Sequence, residues 1–468
     1  MAEDGPRTSG TRRRRSRLLV VVLALVLAYG AADAADAVPG VLTTDPVPPD
    51  ARPFPELALP GGPVVAPTVE GPDESAEVPT RAGLEELVSA FESDPRRTGS
   101  FGLVVADAIT GEVILDHDGE TPRSPASSLK VLTGAAALAA LGADRTLTTS
   151  AVLADEDTVT LRGGGDTLLA PGEGDPSLTN GHAGLADLAE ATAQALRQRD
   201  VTRVDLDLDD TLFTDPLYHP DWGPIDRTFV SAIQPIALDS GRSGGAYSDD
   251  PGVDAAVAFA DALEERGVEV TGIDRGAAPQ EADVLATVES APISAVVRHM
   301  LRESDNSLAE VLGHLVAVER GEDADFTGST AAVRAVLRDL GADVSAVTMA
   351  DASGLSPATT VPPAVLVDVL RLSDDPANRN LHGLVPGLAV GGLDGTLSDR
   401  FTGDAAGYVR AKTGTLVRSV SLTGLVLTAD GRPLHFSLIA SDLSPGTGSL
   451  AHLAMEDLVT DMAACGCA

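Results

Sequence analysis

A serine and a lysine three residues apart, Ser127 and Lys130, have the types and spacing needed for nucleophilic catalysis. An apolar run at helical spacing follows them, so both side chains are expected on one face of a helix. A lysine amine beside a serine hydroxyl can accept its proton when burial or neighbouring charge lowers the lysine pKa. The pair therefore predicts an activated serine with a lysine base. Alone, the same spacing also fits a helix-capping serine and a surface lysine.

Lysine is rare in this chain, and its two occurrences belong to separate motifs. Lys130 and Lys412 are the two lysines, and the other 31 of the 33 basic residues are arginine. Arginine cannot be deprotonated, so it cannot replace a lysine that acts as a base. Lys412 opens Lys412-Thr413-Gly414, and Ser304-Asp305-Asn306 lies between the two lysines. Three motifs in this order favour one shared site over three unrelated local structures.

The charge of the chain excludes one class of partner. Seventy acidic residues against 33 basic residues give a formal charge of −37, and the sequence has no basic stripe. Such a surface repels nucleic acid, so a nucleic-acid partner is excluded. The eight histidines show no spacing typical of a metal site. Neither a metal nor another cofactor is predicted.

The N-terminal region has the pattern of an export signal. Residues 1–37 contain consecutive arginines from Arg12 to Arg15, an apolar run from Leu18 to Ala28, and small residues suited to cleavage. The alternative is an uncleaved anchor, in which residues 18–32 would be the sole membrane attachment. Eleven prolines make residues 38–80 a predicted spacer. The protein is therefore expected outside the cytoplasm, at the cell envelope, either secreted or anchored.

The rest of the chain must supply the elements that bring the three motifs together. Apolar patterns over 81–147 and 289–468 predict helices and antiparallel strands, which we assign to the two parts of one α+β catalytic domain. Residues 148–288 show short alternating segments, glycine-rich turns and two helices. Ser127 to Ser304 spans 177 residues, whereas Ser304 to Lys412 spans 108. Much of the first interval is therefore expected to form a smaller inserted α+β domain.

Two short patterns suggest other chemistry. Asp207-Leu208-Asp209-Asp210-Thr211 matches the motif of aspartate phosphatases, which combine paired carboxylates with magnesium and a downstream lysine. No lysine lies between 212 and 412, so a strand with acidic outward residues is the favoured interpretation. At the end of the chain, Cys465-Gly466-Cys467 suggests a local disulfide in an exported protein, although its ring would be small and strained.

Residues 80–468 resemble the class C low-molecular-mass penicillin-binding proteins, a D-alanyl-D-alanine carboxypeptidase/endopeptidase family. The S-x-x-K, S-D-N and K-T-G motifs carry this resemblance. The matching features beyond them are the inserted domain, Gly174-Asp175-Pro176, Trp222-Gly223-Pro224, Ser353-Gly354-Leu355-Ser356 and the terminal cysteine pair. Ala352 departs from the family pattern, which often has glycine there. The resemblance implies a penicillin-binding transpeptidase/β-lactamase-like fold, an antiparallel sheet flanked by helices.

The resemblance also implies a role for each motif residue. Ser127 would attack the carbonyl between two D-alanines of a peptidoglycan stem peptide, with Lys130 as base and Ser304 as proton relay. The other residues would bind the substrate: Asn306, Lys412, Thr413, Gly414 and Thr415. Main-chain N–H groups of Ser127 and Thr415 would stabilise the oxyanion. β-Lactam antibiotics would mimic the dipeptide and inhibit the enzyme by trapping Ser127.

Two alternative functions use the same residues. A β-lactamase or esterase could share the scaffold, although the chain has no glutamate in the E-x-x-L-N arrangement of class A β-lactamases. A catalytically idle peptidoglycan-binding protein is the other alternative, and the intact Ser127, Lys130, Ser304 and Lys412 argue against it. The motifs are compatible with cleavage of either a terminal peptide bond or a cross-link.

Overall fold

The computed structural model describes residues 22–33 and 73–466. The rest of the predicted signal and spacer, residues 1–21 and 34–72, lies outside the described residues. No helix in the described ranges combines the length and apolar character needed to cross a membrane. Cys465 is disulfide-bonded, and Cys467, its predicted partner, also lies outside the described residues.

More of the described residues lie in α-helices than in strands. The α-helices in chain order are α1 (residues 22–33), α2 (Arg81–Glu92), α3 (Lys130–Leu141), α4 (Leu185–Arg197), α5 (Pro251–Glu265), α6 (Ile293–Glu303), α7 (Asn306–Arg320), α8 (Phe326–Asp339), α9 (Pro363–Asp374) and α10 (Gly448–Ala464). The strands are β1 (Ser100–Asp107), β2 (Val113–His117), β3 (Thr148–Leu153), β4 (Thr158–Arg162), β5 (Arg203–Asp209), β6 (Arg242–Ser243), β7 (Ala246–Tyr247), β8 (Glu269–Arg275), β9 (Asp283–Glu289), β10 (Ala389–Val390), β11 (Val409–Leu416), β12 (Ser419–Leu427) and β13 (Pro433–Ser441).

The larger sheet is antiparallel throughout and has the strand order β10-β11-β12-β13-β1-β2. Its first and last strands in sequence meet, because β1 pairs with β13 and places Leu103 opposite Leu438. Leu103 packs in one apolar cluster with α2 and α10, whereas the next residue, Val104, packs against α9. Helices therefore cover both faces of the sheet, and the predicted α+β fold is confirmed.

Helix α3 occupies the centre of the largest apolar core. Its side chains are buried on all sides, and Leu132, Ala135 and Leu138 are fully inaccessible. A helix that is apolar all round is expected to be enclosed by other elements, and α6, α7, α8 and α9 pack against it. Gly142 ends the helix at φ 88°. The residues that open α3 are thereby held on a rigid support.

The strands of a second sheet lie in sequence between β2 and β10 of the larger sheet. Its order is β8-β5-β4-β3-β9, with parallel pairing of β4, β5 and β8 and antiparallel pairing elsewhere. Helices α4 and α5 pack on it and form a core of their own. Three other residues between β3 and β9 in sequence lie in the main core around α3, namely Phe213, Trp222 and Val230. The inserted-domain boundaries 148–288 remain a prediction.

One local prediction differs from the structure. Ser127 lies in a short 3-10 helix, Ala126–Leu129, and the α-helix begins at Lys130. In the second motif, Asn306 is the first residue of α7, and Asp305 caps that helix by accepting from Leu308 N at 2.9 Å. The Asp207 motif lies mainly in β5, as its alternating pattern predicts.

Candidate active site

The predicted nucleophile and base are in contact. Lys130 Nζ donates to Ser127 Oγ at 3.0 Å, across the junction between the 3-10 helix and α3. Ala126 immediately before has φ 47°, a conformation that non-glycine residues adopt rarely and often near functional sites. Ser127 is half-buried, whereas Lys130 is fully buried. The arrangement exposes the hydroxyl to a substrate and shields the amine from water.

The surroundings of Lys130 suit it to act as a base. Its Nζ also donates to Asn306 Oδ1 and to the carbonyl oxygen of Ser353, each at 2.7 Å. Burial lowers the pKa of Lys130 to about 8, although the carboxylates of Asp351 and Glu310 act in the opposite direction. Roughly a tenth of a lysine with this pKa is neutral at pH 7. A proton acceptor is therefore available near neutral pH.

The second and third motifs also meet. Ser304 ends α6 in the left-handed conformation, at φ 56°. Lys412 Nζ donates to Ser304 Oγ and to the carbonyl oxygen of Thr413, each at 2.8 Å. Burial, with smaller contributions from Lys130 and Arg400, lowers the pKa of Lys412 well below its ordinary value. An anionic substrate group beside it would favour its charged form.

Strand β11 lies directly against the turn that carries Ser127. A Cβ on Gly414 would lie 2.6 Å from the carbonyl oxygen of Pro125, so a larger residue does not fit there. Ser128 Oγ donates to the carbonyl oxygen of Lys412 at 3.3 Å from the other side of this contact. The Ser127 turn and the start of the K-T-G strand are therefore packed backbone to backbone.

The predicted binding residues Thr413, Thr415 and Asn306 each have a hydrogen-bond partner for their side chain. Thr413 Oγ1 donates to Thr396 Oγ1 at 3.1 Å, and Thr415 Oγ1 lies 2.7 Å from His452 Nε2. Burial lowers the pKa of His452 to about 4, so the ring is neutral. Asn306 Nδ2 donates to the Phe229 carbonyl oxygen at 2.9 Å, which leaves Oδ1 facing Lys130.

Sequence reasoning missed a buried carboxylate that supports Lys130. Glu310 on α7 accepts from Ala352 N at 3.0 Å and from Ser353 N at 2.8 Å. Ser353 is the residue whose carbonyl oxygen binds Lys130, so Glu310 fixes that acceptor. Burial raises the pKa of Glu310, and these hydrogen bonds oppose the rise. The available signal was a single acidic residue at a core-facing position of an apolar helix.

A second buried carboxylate was also missed. Asp351 accepts from Gly354 N at 2.9 Å and Ser356 N at 2.6 Å, and both bonds shape the loop that follows it. Its Oδ2 also accepts from Trp222 Nε1 at 3.2 Å, across 129 residues of sequence. Trp222 and this loop both belong to segments that carry the family resemblance, but their contact has no local sequence signal.

Comparison with known proteins identifies one family across the folded chain. The family described as "D-Ala-D-Ala carboxypeptidase 3 (S13)" matches residues 84–245 and 240–462. Similar curated proteins include the carboxypeptidase DacB of Mycolicibacterium smegmatis, 36% identical over 98% of this chain and 99% of that protein. The D-alanyl-D-alanine carboxypeptidase of Actinomadura is 28% identical over 80% of this chain and 83% of its own.

A solved structure has the same fold. Penicillin binding protein 4 of Haemophilus influenzae superposes with a TM-score of 0.68 and 21% sequence identity, over 81% of this chain and 99% of that protein. A further crystal structure of the same protein contains a β-lactam, with a TM-score of 0.62. Both likenesses concern the fold.

Proposed function

Because this chain belongs to the D-Ala-D-Ala carboxypeptidase 3 (S13) family, we propose that it is a serine D-alanyl-D-alanine carboxypeptidase acting on peptidoglycan stem peptides. The contact between Lys130 Nζ and Ser127 Oγ carries this proposal, because it joins a nucleophile to a base of lowered pKa. The relatives named as carboxypeptidases support the choice of bond.

Acylation follows from the positions of three side chains. Neutral Lys130 accepts the Ser127 proton as Oγ attacks the carbonyl carbon between the two D-alanines. Main-chain N–H groups of Ser127 and Thr415 stabilise the oxyanion, and losing one such donor typically costs about 3–4 kcal/mol in the transition state. Ser304 then relays the proton taken up by Lys130 to the leaving amine, the C–N bond breaks, and D-alanine departs from the acyl-serine.

Substrate binding uses the polar edge of β11 and the start of α7. Lys412 and Thr413 hold the terminal carboxylate, and Asn306 binds the peptide amide. A side chain at Gly414 would meet the Pro125 carbonyl oxygen, so this glycine lets the strand that receives the substrate backbone lie close to the Ser127 turn. A β-lactam fits the same positions as an inhibitor, because its carboxylate and carbonyl mimic the terminal dipeptide.

Water completes the reaction by hydrolysing the acyl-serine. Asp351 and Glu310 are the carboxylates whose charge affects Lys130 most. Both are buried, and both accept hydrogen bonds from backbone N–H groups. Neither is placed to activate water as a β-lactamase glutamate does. This favours slow release of a bulky penicilloyl group, and so favours the peptidase over the β-lactamase alternative.

The deciding experiment is the intact mass of the protein after incubation with benzylpenicillin. The parent should carry a lasting adduct, whereas Ser127→Ala should carry none. Lys130→Arg keeps the charge but removes the base, so it should also remain unmodified. Penicillin destroyed without a lasting adduct would indicate a β-lactamase, and a folded parent with neither adduct nor turnover would indicate an idle binding protein.

The proposed substrate requires a location in the cell envelope. Residues 1–37 would direct export, and residues 18–32 would anchor the chain if the signal is not cleaved. Separation of membrane and soluble fractions, followed by the intact mass of each, distinguishes the two outcomes. A full-length mass in the membrane fraction indicates the anchor, and a mass lacking the first residues indicates cleavage.

A further inference from the structure

A histidine of the C-terminal helix lies beside the substrate-binding strand, although it belongs to none of the three motifs. His452 Nε2 of α10 lies 2.7 Å from Thr415 Oγ1 of β11. We propose that His452 is a positioning residue, which holds the Thr415 hydroxyl so that it donates its proton to the terminal carboxylate of the substrate. The inference rests on the proposed function and names a further group that recognises the substrate.

The direction of this hydrogen bond follows from the other side of the histidine ring. Arg400 Nη2 lies 3.4 Å from His452 Nδ1. A guanidinium has donors only, so His452 Nδ1 is placed to accept a proton from Arg400 rather than to carry one. Burial, aided by the positive charge of Arg400, lowers the pKa of His452 to about 4, and a neutral imidazole carries one proton. That proton is therefore on Nε2, which donates to Thr415 Oγ1.

A hydroxyl that accepts from His452 keeps its own proton for another partner. Thr415 is exposed, so this proton can reach a substrate group. Thr413 and Thr415 are two residues apart on β11, so their side chains leave the strand on the same face. Lys412 and Thr413 are the residues proposed to hold the terminal carboxylate, whose two oxygens accept from several donors at once. The Thr415 hydroxyl is then a further donor to the same carboxylate.

The arginine that orients the ring is itself held by the same helix. Arg400 Nε donates to Glu456 Oε1 at 2.6 Å, and both side chains are mostly buried. His452 and Glu456 are four residues apart, so they lie on one face of α10. Hydrogen bonds between oppositely charged groups are stronger than those between neutral groups. Helix α10 therefore presents a chain of contacts, from Glu456 through Arg400 to His452, that ends at the Thr415 hydroxyl.

The packing of α10 fixes this chain of contacts relative to the sheet. Ala451 and Met455, which flank His452 in sequence, are buried in the apolar cluster that includes residues of β11 and β12. The positive charge of Arg400 also reaches the anion-binding end of the site. Burial is the main cause of the lowered pKa of Lys412, and the charge of Arg400 contributes to it. His452 is therefore held between a packed helix and the strand whose polar groups receive the substrate.

The test compares two thioester substrates that differ only in the carboxylate. One is an N-acylated D-alanyl thioglycolate, whose leaving group ends in a carboxylate, and the other is the methyl ester of that carboxylate. His452→Phe keeps an aromatic ring but cannot donate to Thr415 Oγ1, so it should lower kcat/KM for the carboxylate substrate about tenfold. Hydrolysis of the methyl ester should change less than about twofold. His382→Phe alters an exposed ring that contacts the Asp375 carbonyl oxygen, and this control should affect neither substrate.

Rescue and coupling separate positioning from general damage. His452→Gln offers an amide N–H to Thr415 and an amide oxygen to Arg400, so it should recover most of the lost rate. Thr415→Val removes the hydroxyl but keeps the branched shape that strands favour, and it should show the same selective loss. His452→Phe should add little to Thr415→Val in the double variant, because both changes remove one interaction. Long-range proton–nitrogen NMR spectra of the parent, assigned with His452→Gln, should show the His452 ring protonated at Nε2.

Several results would overturn this proposal and leave the proposed function standing. They are equal losses on both thioesters for His452→Phe, full activity of Thr415→Val on the carboxylate substrate, additive losses in the double variant, and a parent that hydrolyses the two thioesters equally well. A proton on Nδ1 of the His452 ring would overturn it as well, and this measurement decides the matter even where His452→Phe does not fold. A folded parent that hydrolyses neither thioester and takes up no penicillin would overturn the proposed function.

Discussion

Lys130 is the residue on which the chemistry depends, and opposing effects set its protonation. Complete burial favours the neutral amine, whereas the charges of Asp351, Glu310 and Asp305 favour the ammonium. Burial has the larger effect, because the pKa falls to about 8 rather than rising. Asn306 Oδ1 and the Ser353 carbonyl oxygen can accept from Nζ in both protonation states. The third position faces Ser127 Oγ, which accepts from the ammonium and donates to the neutral amine.

The first prediction concerns pH. Acylation by benzylpenicillin should accelerate about tenfold per pH unit below pH 8 and level off above it, since only neutral Lys130 accepts a proton. Glu310→Gln removes a negative charge that raises the lysine pKa. The pH at which the rate levels off should therefore move downward. Stopped-flow acylation rates measured across pH would report the shift.

The matched control lies on the same helix. Glu319 is an exposed carboxylate of α7 that pairs with Arg145, and Glu319→Gln should leave the pH profile unchanged. An unchanged profile for Glu310→Gln would mean that this carboxyl is already protonated and carries no charge to remove. A slower rate at every pH without a shift would mean that it acts by shape alone.

At the scale of elements, the loop after Asp351 must approach the Ser127 turn closely. Gly354 has φ 80°, and a Cβ there would lie 1.9 Å from the carbonyl oxygen of Ala126. Any side chain would force apart the two segments that hold Ser127 and the Ser353 carbonyl. The glycine is required both by its backbone conformation and by the space available.

The second prediction separates these two requirements. Gly431 in the β12–β13 turn has φ 85° but open space around its Cβ position, so Gly431→Ala should cost about 1 kcal/mol from conformation alone. Gly354→Ala adds a backbone clash and should cost about 3 kcal/mol or more. Urea unfolding gives both values. Gly354→Ala should also slow penicillin acylation, and equal costs for the two variants would show that the loop moves aside.

The sequence predicted the strands and the reacting residues of the site more completely than the residues that hold them in place. The antiparallel strands predicted within 81–147 and 289–468 are present as β1, β12 and β13. Ser127, Lys130 and Lys412 could be identified because few residue types perform their chemistry. Glu310 could not, because its role depends on a contact with backbone N–H groups 42 and 43 residues away. Such contacts follow from tertiary packing, which local patterns do not encode.

At the scale of the molecule, the stretch between the first two motifs is not isolated from the site. Its own sheet has a separate apolar core that includes Phe259. Yet Trp222 is buried in the main core and donates to Asp351, which shapes the loop beside Lys130. Sequence spacing predicted that this stretch leaves the catalytic part and returns. It could not predict that part of the stretch helps to build the catalytic part.

The third prediction tests this dual construction. Trp222→Phe keeps an aromatic ring in the main core but removes the donor to Asp351, which should cost about 1–3 kcal/mol of stability and slow acylation of Ser127. Phe259→Leu loses packing in the separate core and should cost about 1 kcal/mol with no change in acylation. Urea unfolding and acylation rates on both variants provide the comparison. If both variants slow acylation equally, the second sheet as a whole affects the site. If only Trp222→Phe slows acylation, the effect belongs to the hydrogen bond between Trp222 and Asp351.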